Sequence, residues 1–281
     1  MPSFPTRRFS ELSKSDLGGK NVLITGASSG IGRELSRCFA AEGSNLLLGC
    51  HPSEKDILEG WASELRAMYG VRVSALPIDL SDERGPETLY GSVKRTVDRI
   101  DVLVNNAGIL HYGDFSEIPL RDHESLVKVN VIAYLKLMRF FLNDMVKVGE
   151  GRILNVVSAA AFQATVYHAT YGASKAFIQS LSEAANEELK GTGVSVFTFN
   201  PSYTKTPLLS RGGFPERVWW YRISGLSDPA DMARKAMKAF KQEKPLYIPG
   251  IRNWLVHSVL VRVMPRSLLN TLSGWVLREE R

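Results

Sequence analysis

The chain has 281 residues, of which 44% are hydrophobic and 23% are charged, and these proportions predict a globular protein with a substantial core. Its formal net charge is +6, but the basic residues form no long run, so nucleic-acid binding is not expected. No apolar stretch is as long as a membrane span, and the five histidines form no metal-binding pattern. Because Cys38 and Cys50 have neither metal nor redox spacing, we expect a cytoplasmic protein without a metal site.

A strand, a glycine-rich turn and a helix are predicted near the start of the chain. Residues 21–25 have the composition of a buried strand, and residues 33–42 have a helical pattern. This arrangement places a phosphate at the amino end of a helix, where free N–H groups favour an anion. Glycine would allow the turn, the approach of backbone to a pyrophosphate and close helix packing. The residues expected to bind the nucleotide are Gly26, Ser28, Ser29, Gly30, Ile31 and Gly32.

The end of the second predicted strand, residues 45–49, bears on the type of cofactor. A cofactor with a free ribose 2′-hydroxyl usually meets Asp or Glu at this position. Here the strand leads into Cys50 and His51, with Lys55 as the next basic group and no arginine. We therefore expect NADP(H), with His51 near the 2′-phosphate, and NAD(H) is the alternative.

Two more predicted strands end in polar or small residues. The third, residues 71–78, is followed by Asp79 and Leu80, and Asp79 could bind an adenine amino group or cap a turn before Ser81. The fourth, residues 101–104, ends in small residues and amides that could admit a flat ribose, although a plain turn has the same composition. These residues are Asn105, Asn106, Ala107 and Gly108.

A long helix is predicted over residues 124–146, and it is apolar on nearly every side. Such a helix needs cover on both faces, and a second subunit is the simplest cover for the face that the sheet does not reach. We therefore expect a homodimer or homotetramer. Asn130 is a polar residue near the start of this helix, and it should bind backbone or water because an unpaired buried amide is costly.

Ser158, Tyr171 and Lys175 form the clearest candidate for a catalytic site. Tyr171 and Lys175 are four residues apart on a helix predicted over residues 171–190, so they share one face. Ser158 follows the predicted strand 153–157, at a carboxyl end where open α/β sheets hold their ligands. A phenol, an ammonium and a hydroxyl at one place suit proton transfer to a carbonyl oxygen.

The remaining segments would complete one domain and its substrate region. After a strand at residues 194–199, residues 207–227 combine aromatic residues with two glycines, which predicts a lid over a ligand. A helix at residues 228–241 and a strand at residues 246–248 are expected next. The turn after the strand at 194–199 contains Pro201, Thr204 and Thr206.

We expect residues 1–18 to be an extension outside the fold, residues 19–250 to form a single domain, and residues 251–281 to be a helical extension. This last segment mixes apolar residues with arginines. Packing against the substrate region or another subunit is expected, and peripheral contact with a membrane is the alternative.

The motifs, taken together and in order, resemble the short-chain dehydrogenase/reductase family over about residues 18–250. The resemblance rests on Thr25 to Gly32, Asp79, Asn105 to Gly108, Asn130, Ser158, Tyr171 with Lys175, and the turn from Pro201 to Thr206. It implies a Rossmann-type, doubly wound α/β sheet of about seven parallel strands and a nicotinamide cofactor.

The resemblance also implies a role for each site residue. Tyr171 would be the proton donor or acceptor, Lys175 would bind the nicotinamide ribose, and Ser158 would hold the substrate oxygen. Asn130 would hold a water in a proton relay. At the cofactor, Asp79 and Leu80 would lie near the adenine, Asn105 to Gly108 near a ribose, and Pro201, Thr204 and Thr206 near the nicotinamide.

Two further expectations concern chemistry and loop geometry. Lys175 and a cationic nicotinamide ring would lower the pKa of Tyr171, since opposite charges nearby favour the ionised phenol. Ser202 stands where the family usually has glycine after Pro201, which puts the backbone of that turn in doubt.

An apolar loop at residues 159–166 and the predicted lid favour a hydrophobic ketone, aldehyde or secondary alcohol as the substrate. His168 could contact it, although a lone loop histidine is more often solvated. The sequence thus predicts an oxidoreductase. The alternatives are a non-catalytic NAD(P)-binding regulatory protein on the same fold, and an epimerase or dehydratase that uses the same tyrosine and lysine.

Overall fold

Seven parallel strands form one sheet in the computed structural model, which describes residues 17–278. Their order across the sheet is β3-β2-β1-β4-β5-β6-β7. The predicted doubly wound sheet is therefore confirmed, and every predicted strand is present with its ends within two residues of the expected ones. The strands are β1 (Asn21–Ile24), β2 (Asn45–Cys50), β3 (Val73–Pro77), β4 (Val102–Asn105), β5 (Gly151–Val156), β6 (Val194–Phe199) and β7 (Leu246–Tyr247).

Helices cover both faces of this sheet, as a fully parallel sheet requires. One apolar cluster joins the sheet to the first, second and ninth helices, and a second cluster joins the opposite face to the third and fifth. The helices are α1 (Gly30–Ala41), α2 (Lys55–Tyr69), α3 (Gly85–Thr96), α4 (Leu120–Val127), α5 (Tyr134–Val148), α6 (Ala169–Glu188), α7 (Pro207–Arg211), α8 (Trp220–Ser224), α9 (Pro229–Lys241), α10 (Ile251–Trp254), α11 (Val261–Val263) and α12 (Arg266–Leu277).

The strand order reverses at β1, which pairs with β2 on one side and β4 on the other. Open α/β sheets bind ligands in the crevice outside the carboxyl ends of the strands at such a point. The register places Ile24 beside both Leu48 and Val104, so the residues that follow these strands meet at one edge. The glycine-rich turn after β1 lies at that edge.

The long helix predicted over residues 124–146 is longer and less regular than expected. It begins at Leu120 and ends at Val148, and a π-helical segment, Lys128–Ala133, separates α4 from α5. Single π turns inside helices occur frequently at functional sites. Asn130 lies in this segment and is fully buried.

The amino-terminal end of the described chain packs differently from the expected extension. Leu17 lies inside the segment expected outside the fold, yet it is completely buried in the core, and its carbonyl accepts a hydrogen bond from the hydroxyl of Ser44. Residues 1–16 and 279–281 lie outside the described residues. Between residues 17 and 278, none of the helices has both the length and the apolar character needed to traverse a bilayer.

Candidate active site

A cleft of about 720 Å³ runs along the carboxyl ends of the strands, from the end of β2 to Tyr171 and Lys175. Most of the predicted site residues line it. They are Gly26, Ser28, Ser29, Gly30, Ile31, His51, Asp79, Leu80, Asn106, Ala107, Gly108, Tyr171, Lys175, Pro201 and Thr206. Gly32, Asn130, Ser158 and Thr204 do not line this cleft, although Ser158 and Thr204 line the cavity adjoining it.

Hydrogen bonds between two strand ends hold the glycine-rich turn in place. The hydroxyl oxygen of Thr25 accepts hydrogen bonds from the backbone N–H groups of Asn106 and Ala107, at 2.9 and 3.0 Å. The side-chain amide of Asn106 donates to the carbonyls of Thr25 and Gly26, at 2.9 and 3.0 Å. The amide at the end of β4 therefore orients the turn after β1.

The same turn leaves no room for side chains at its glycines. Gly26 and Gly30 have φ angles of +65° and +55°, which L-residues with side chains rarely adopt. A Cβ atom at Gly32 would lie 2.3 Å from the Nδ2 atom of Asn106 and from the carbonyl oxygen of Gly26. A backbone cradle in front of the amino end of α1 fits the pyrophosphate of a dinucleotide.

Asn105, expected near a ribose, does not face the cleft. It is fully buried, and its Nδ2 atom donates to the Oδ1 atom of Asn155 on the neighbouring strand at 3.0 Å. That expectation was wrong because side chains alternate along a strand, so only one face of the strand end can reach the cleft. Asn106 and the two small residues after it line the cleft instead.

Glu54 places a carboxylate near the end of β2, which the sequence reading missed. Its Oε2 atom accepts a hydrogen bond from the hydroxyl of Ser28 at 2.5 Å, and its Oε1 atom is 2.5 Å from Nη1 of Arg211 on α7. Burial raises the pKa of Glu54, but Ser28, Arg211 and His51 lower it more, so the net effect is a lowered pKa and an ionised carboxylate. All of these residues line the cleft.

Sequence spacing could have indicated Glu54, because it follows β2 by only four residues. Arg211 could not have been assigned in this way, since it lies more than 150 positions further along the chain.

Asp79 caps the turn before Ser81, one of the two roles that the sequence left open. Its Oδ1 atom accepts hydrogen bonds from the backbone N–H and the hydroxyl of Ser81, at 2.8 and 2.7 Å. Its Oδ2 atom lies 3.6 Å from the Nε2 atom of His51. The carboxylate still lines the cleft, so this cap leaves it accessible to a ligand.

Tyr171 and Lys175 lie on one face of α6, at the inner end of the cleft. The ammonium of Lys175 donates to the carbonyl of Val156 at 3.1 Å and lies 5.7 Å from the ring centroid of Tyr171. Ser158 follows β5, and its Oγ atom accepts a hydrogen bond from the backbone N–H of Ala160 at 3.1 Å. Ser158 also hydrogen-bonds to Tyr171, so the three groups converge as predicted.

Burial dominates the electrostatics of these groups. It raises the pKa of Tyr171 to about 12, against a smaller lowering by the Ser158 hydrogen bond. It lowers the pKa of Lys175 to about 7. In the chain by itself, the apolar enclosure disfavours the phenolate more strongly than its neighbours favour it. The expected lowering of the pKa of Tyr171 also involves a cationic nicotinamide ring, so it stays a prediction.

Asn130 binds backbone, as its burial required. Its Oδ1 atom accepts from the N–H of Ile109 and its Nδ2 atom donates to the carbonyl of the same residue, both at 2.9 Å. Nδ2 also lies 3.2 Å from the hydroxyl oxygen of Ser174 on α6. Asn130 thus connects the π segment to the loop after β4 and to the helix that contains Tyr171.

The family model described as short chain dehydrogenase matches residues 20–212, which is more than half of the chain and includes the turn, Ser158, Tyr171 and Lys175. The chain belongs to the short-chain dehydrogenase family. Its relatives include reductases and dehydrogenases, and the predicted resemblance is confirmed.

Individual members of the family are similar over most of their length. The ketoacyl reductase HetN of Nostoc sp. is 32% identical over 227 residues, covering 81% of this chain and 77% of that protein. A short-chain dehydrogenase of Sphingobium yanoikuyae, solved with NADPH, is 29% identical with a TM-score of 0.78, covering 93% of this chain and 98% of that chain. A bulky-bulky ketone specific alcohol dehydrogenase of Comamonas testosteroni is 26% identical with a TM-score of 0.72, covering 88% and 96%.

In this short-chain dehydrogenase, a second cavity of about 90 Å³ adjoins the cleft at Tyr171. Ser158, the loop after it, the predicted lid and the carboxyl-terminal helices all contribute to its walls. None of the described residues that line it is Asp, Glu, Lys or Arg. This volume is smaller than the roughly 300–1,000 Å³ of most ligand pockets, but the cavity is continuous with the cleft at Tyr171.

The carboxyl-terminal segment and the lid close this cavity together. The carbonyl of Leu277, which lines the cavity, accepts a hydrogen bond from the hydroxyl of Tyr112 at 2.7 Å. Trp219 and Trp275 have ring centroids 4.8 Å apart. The expected packing of the tail against the substrate region is therefore present, and α12 forms part of the site.

Two loop residues behave differently from the expectations. His168 is buried, not solvated: it lines the small cavity, its Nδ1 atom is 3.0 Å from the carbonyl of Val166, and burial lowers its pKa to about 4. The preceding residue, Tyr167, has a φ angle of +66°. Ser202 adopts no left-handed conformation, so the turn after Pro201 does not need the glycine usual in the family.

Proposed function

We propose that this short-chain dehydrogenase reduces the carbonyl group of a hydrophobic ketone or aldehyde, or oxidises the corresponding secondary alcohol, with a nicotinamide cofactor. The proposal rests on the convergence of Ser158, Tyr171 and Lys175 at the inner end of a cleft that begins at a glycine-rich turn. The cofactor, when bound, supplies or accepts the hydride, while the protein supplies the proton and the orientation.

In this proposal, the phenol of Tyr171 gives its proton to the substrate oxygen during reduction and takes it back during oxidation. Ser158 holds that oxygen by a hydrogen bond. Burial keeps the phenol protonated in the chain by itself, and Lys175 with the cationic nicotinamide ring would lower its pKa towards the operating pH, where general acid–base catalysis is most efficient. The Lys175 ammonium would stabilise the resulting phenolate and bind the ribose hydroxyls, and Asn130 would hold the loop and a water of the proton relay.

The cofactor would lie along the cleft with its phosphates on the turn from Gly26 to Gly32. The adenine would lie near Asp79 and Leu80, one ribose near Asn106 to Gly108, and the nicotinamide near Pro201, Thr204 and Thr206. The glycines support this arrangement, because any side chain at those positions would fill the space or strain the turn.

We propose NADP(H) as the preferred cofactor, with Arg211 and His51 near the 2′-phosphate. Arg211 is a basic group at this end of the cleft, and the guanidinium is well suited to bind phosphate. Glu54 favours NAD(H) instead, since a carboxylate there can accept hydrogen bonds from ribose hydroxyls and repels a phosphate. For NADP(H) to bind, Arg211 must therefore leave its ion pair with Glu54 and contact the 2′-phosphate instead.

The nature of the walls supports a hydrophobic substrate. The cavity beside Ser158 and Tyr171 contains alanines, leucines, Tyr203 and Trp220 and no charged side chain among the described residues. A charged substrate would lose its hydration there without an opposite charge to replace it. The similarity to a ketoacyl reductase and to a dehydrogenase of bulky ketones agrees with this class of substrate.

We propose a homodimer or homotetramer formed through α4, α5 and α6. Large apolar side chains on these adjacent helices remain partly exposed, and the π-helical segment between α4 and α5 contributes one more exposed apolar side chain. They are Val127, Ile132, Leu135, Val146 and Phe177. Burial of this face against a second copy would remove it from water, as the apolar pattern of the sequence suggests.

For the carboxyl-terminal segment, we propose peripheral contact with an anionic membrane surface on the cytoplasmic side. Residues 251–281 contain five arginines and two glutamates, and this excess of positive charge would attract an anionic membrane surface. The exposed large side chains of the segment are Ile251, Trp254, Leu255, Val259, Leu260, Val263, Leu268, Leu272 and Trp275. The free thiols of Cys38 and Cys50 agree with a reducing, cytoplasmic location.

Substitution of Tyr171 by Phe tests the proposed reaction. Tyr171→Phe should abolish turnover of ketones and leave the affinity for NADPH or NADH within about threefold, because it removes one hydroxyl from the cleft. Tyr90→Phe is the matched control, since the hydroxyl of Tyr90 binds Asp144 at 2.9 Å, away from the cleft. Unchanged turnover in Tyr171→Phe would refute the role of the tyrosine. A wild-type protein that binds the cofactor without converting any carbonyl compound would instead indicate the regulatory alternative.

A further inference from the structure

His257 is a buried polar side chain in an unexpected place. It lies in the π-helical segment Leu255–Leu260 of the carboxyl-terminal extension, and only 4% of its surface is exposed. Neither ring nitrogen has a hydrogen-bond partner among the residues that the structure describes. The neighbouring Trp254, Leu255, Val259 and Leu260 are exposed, so this segment turns its imidazole inward and its apolar side chains outward.

The imidazole of His257 lines the same cavity as Ser158 and Tyr171. Its ring centroid is 6.3 Å from that of Phe162, in the loop after Ser158, and 6.3 Å from that of Trp220, in the predicted lid. The histidine therefore stands between the two segments that enclose the proposed substrate.

Several polar side chains of this cavity already have partners. The Thr165 hydroxyl donates to the carbonyl of His168 at 3.0 Å, and the Nδ1 atom of His168 is bonded to the carbonyl of Val166. The Thr204 hydroxyl donates to the carbonyl of Ser202 at 2.9 Å. Buried polar groups in folded proteins are nearly always paired, so two unpartnered nitrogens in a ligand cavity point to a ligand.

We infer that His257 binds a second polar group of the substrate, at a distance from the carbonyl that reacts. This inference rests on the proposed function and specifies its substrate. The substrate would be a hydrophobic carbonyl compound that also has a neutral hydrogen-bonding group, such as a hydroxyl, a second ketone, an ester or an amide.

The charge of the site supports a neutral group rather than a carboxylate. Burial lowers the pKa of His257 to about 4, so the ring is neutral at physiological pH and offers one donor and one acceptor. No lysine or arginine among the described residues lines this cavity, so an anion there would stay uncompensated. A hydroxyl or a carbonyl oxygen can pair with the neutral ring directly.

The test compares ketones that share one carbon skeleton and differ at the far end, which is either unsubstituted or bears a hydroxyl, a keto group or a carboxylate. Initial rates with NADPH and NADH give kcat/KM for each. We expect the wild-type protein to prefer the hydroxyl and keto compounds over the unsubstituted one. In His257→Leu this preference should fall by about tenfold, the usual effect of one hydrogen bond, and His257→Gln should retain most of it.

Ser258→Ala is the control, because Ser258 is the adjacent residue of the same segment and does not line the cavity. If the wild-type protein prefers the unsubstituted or the carboxylate-bearing ketone, the inference is overturned, whether or not the Leu variant folds. The same holds if His257→Leu lowers kcat/KM for every ketone equally. In both cases the proposed reaction would stand, whereas failure to reduce any ketone with either cofactor would refute the reaction itself.

Discussion

The buried amine of Lys175 predicts how the stability of the protein depends on pH. Burial lowers its pKa from 10.5 to about 7, and the lysine is only 3% exposed. Between about pH 7 and pH 10.5 the unfolded chain therefore binds a proton that the native protein lacks, so the free energy of unfolding rises with pH over this window. From pH 7 to pH 9 the gain is roughly 2 kcal/mol, because each pH unit contributes up to about 1.4 kcal/mol and the lysine is half titrated at pH 7.

Lys175→Met removes the amine that titrates, so the unfolding free energy of the variant should lack the rise with pH that Lys175 causes. Urea unfolding at pH 7, 8 and 9, without added nucleotide, measures the difference in unfolding free energy between wild type and variant. We expect that difference to shift by roughly 2 kcal/mol in favour of the wild type as the pH rises from 7 to 9. Loss of the hydrogen bond to Val156 lowers the unfolding free energy of the variant by the same amount at every pH. The contributions of the other titrating groups are common to both proteins, so they cancel in the difference. Lys190→Met is the control at an exposed lysine. Parallel curves for wild type and Lys175→Met would refute the argument.

Three more experiments test the proposals on cofactor and surfaces. Glu54→Gln should raise the ratio of kcat/KM for NADPH over NADH by about five- to tenfold, since it removes a charge that repels a phosphate and binds Arg211; an unchanged ratio would contradict this. Val146→Asp with Phe177→Asp should convert an oligomer into monomers in sedimentation velocity, and a wild-type monomer at micromolar concentration would contradict the proposed interface. Leu255→Ser should weaken cosedimentation with phosphatidylglycerol vesicles, and equal wild-type binding to phosphatidylcholine vesicles would contradict a role for the arginines.

The sheet and the cofactor half of the cleft could be predicted because their residues are fixed by local geometry. A turn that needs φ angles of +65° and +55° selects glycine at positions 26 and 30, and this requirement can be read in the sequence. Buried strands appear as short apolar runs for a similar reason, since helices cover both faces of the sheet. Tyr171 and Lys175 were predicted to share a face because the helical repeat alone brings them together.

Other features depended on long-range contacts and could not be predicted. The alternation of side chains along β4 turned Asn105 towards Asn155 rather than the cleft, and only the sheet register decides which residue of a strand end faces the ligand. The pKa of Tyr171 depends on how completely the surrounding segments enclose it. Enclosure is a property of the folded chain, so the raised pKa of Tyr171 in the chain by itself could not be read from the sequence.

The substrate half of the site shows why periodicity fails at the carboxyl-terminal segment. A pattern rule assigns apolar residues to the interior, yet here His257 is buried while Trp254 and Leu255 are exposed. This inversion is understandable if a ligand completes the hydrogen bonds of the imidazole and another surface covers the apolar side chains. The ligand and the covering surface both lie outside the chain. A rule that considers only the folding of the chain therefore cannot predict these residues. At His257 and the exposed apolar residues beside it, the failure of the pattern rule thus coincides with the proposed contacts of this dehydrogenase with its substrate and with a membrane.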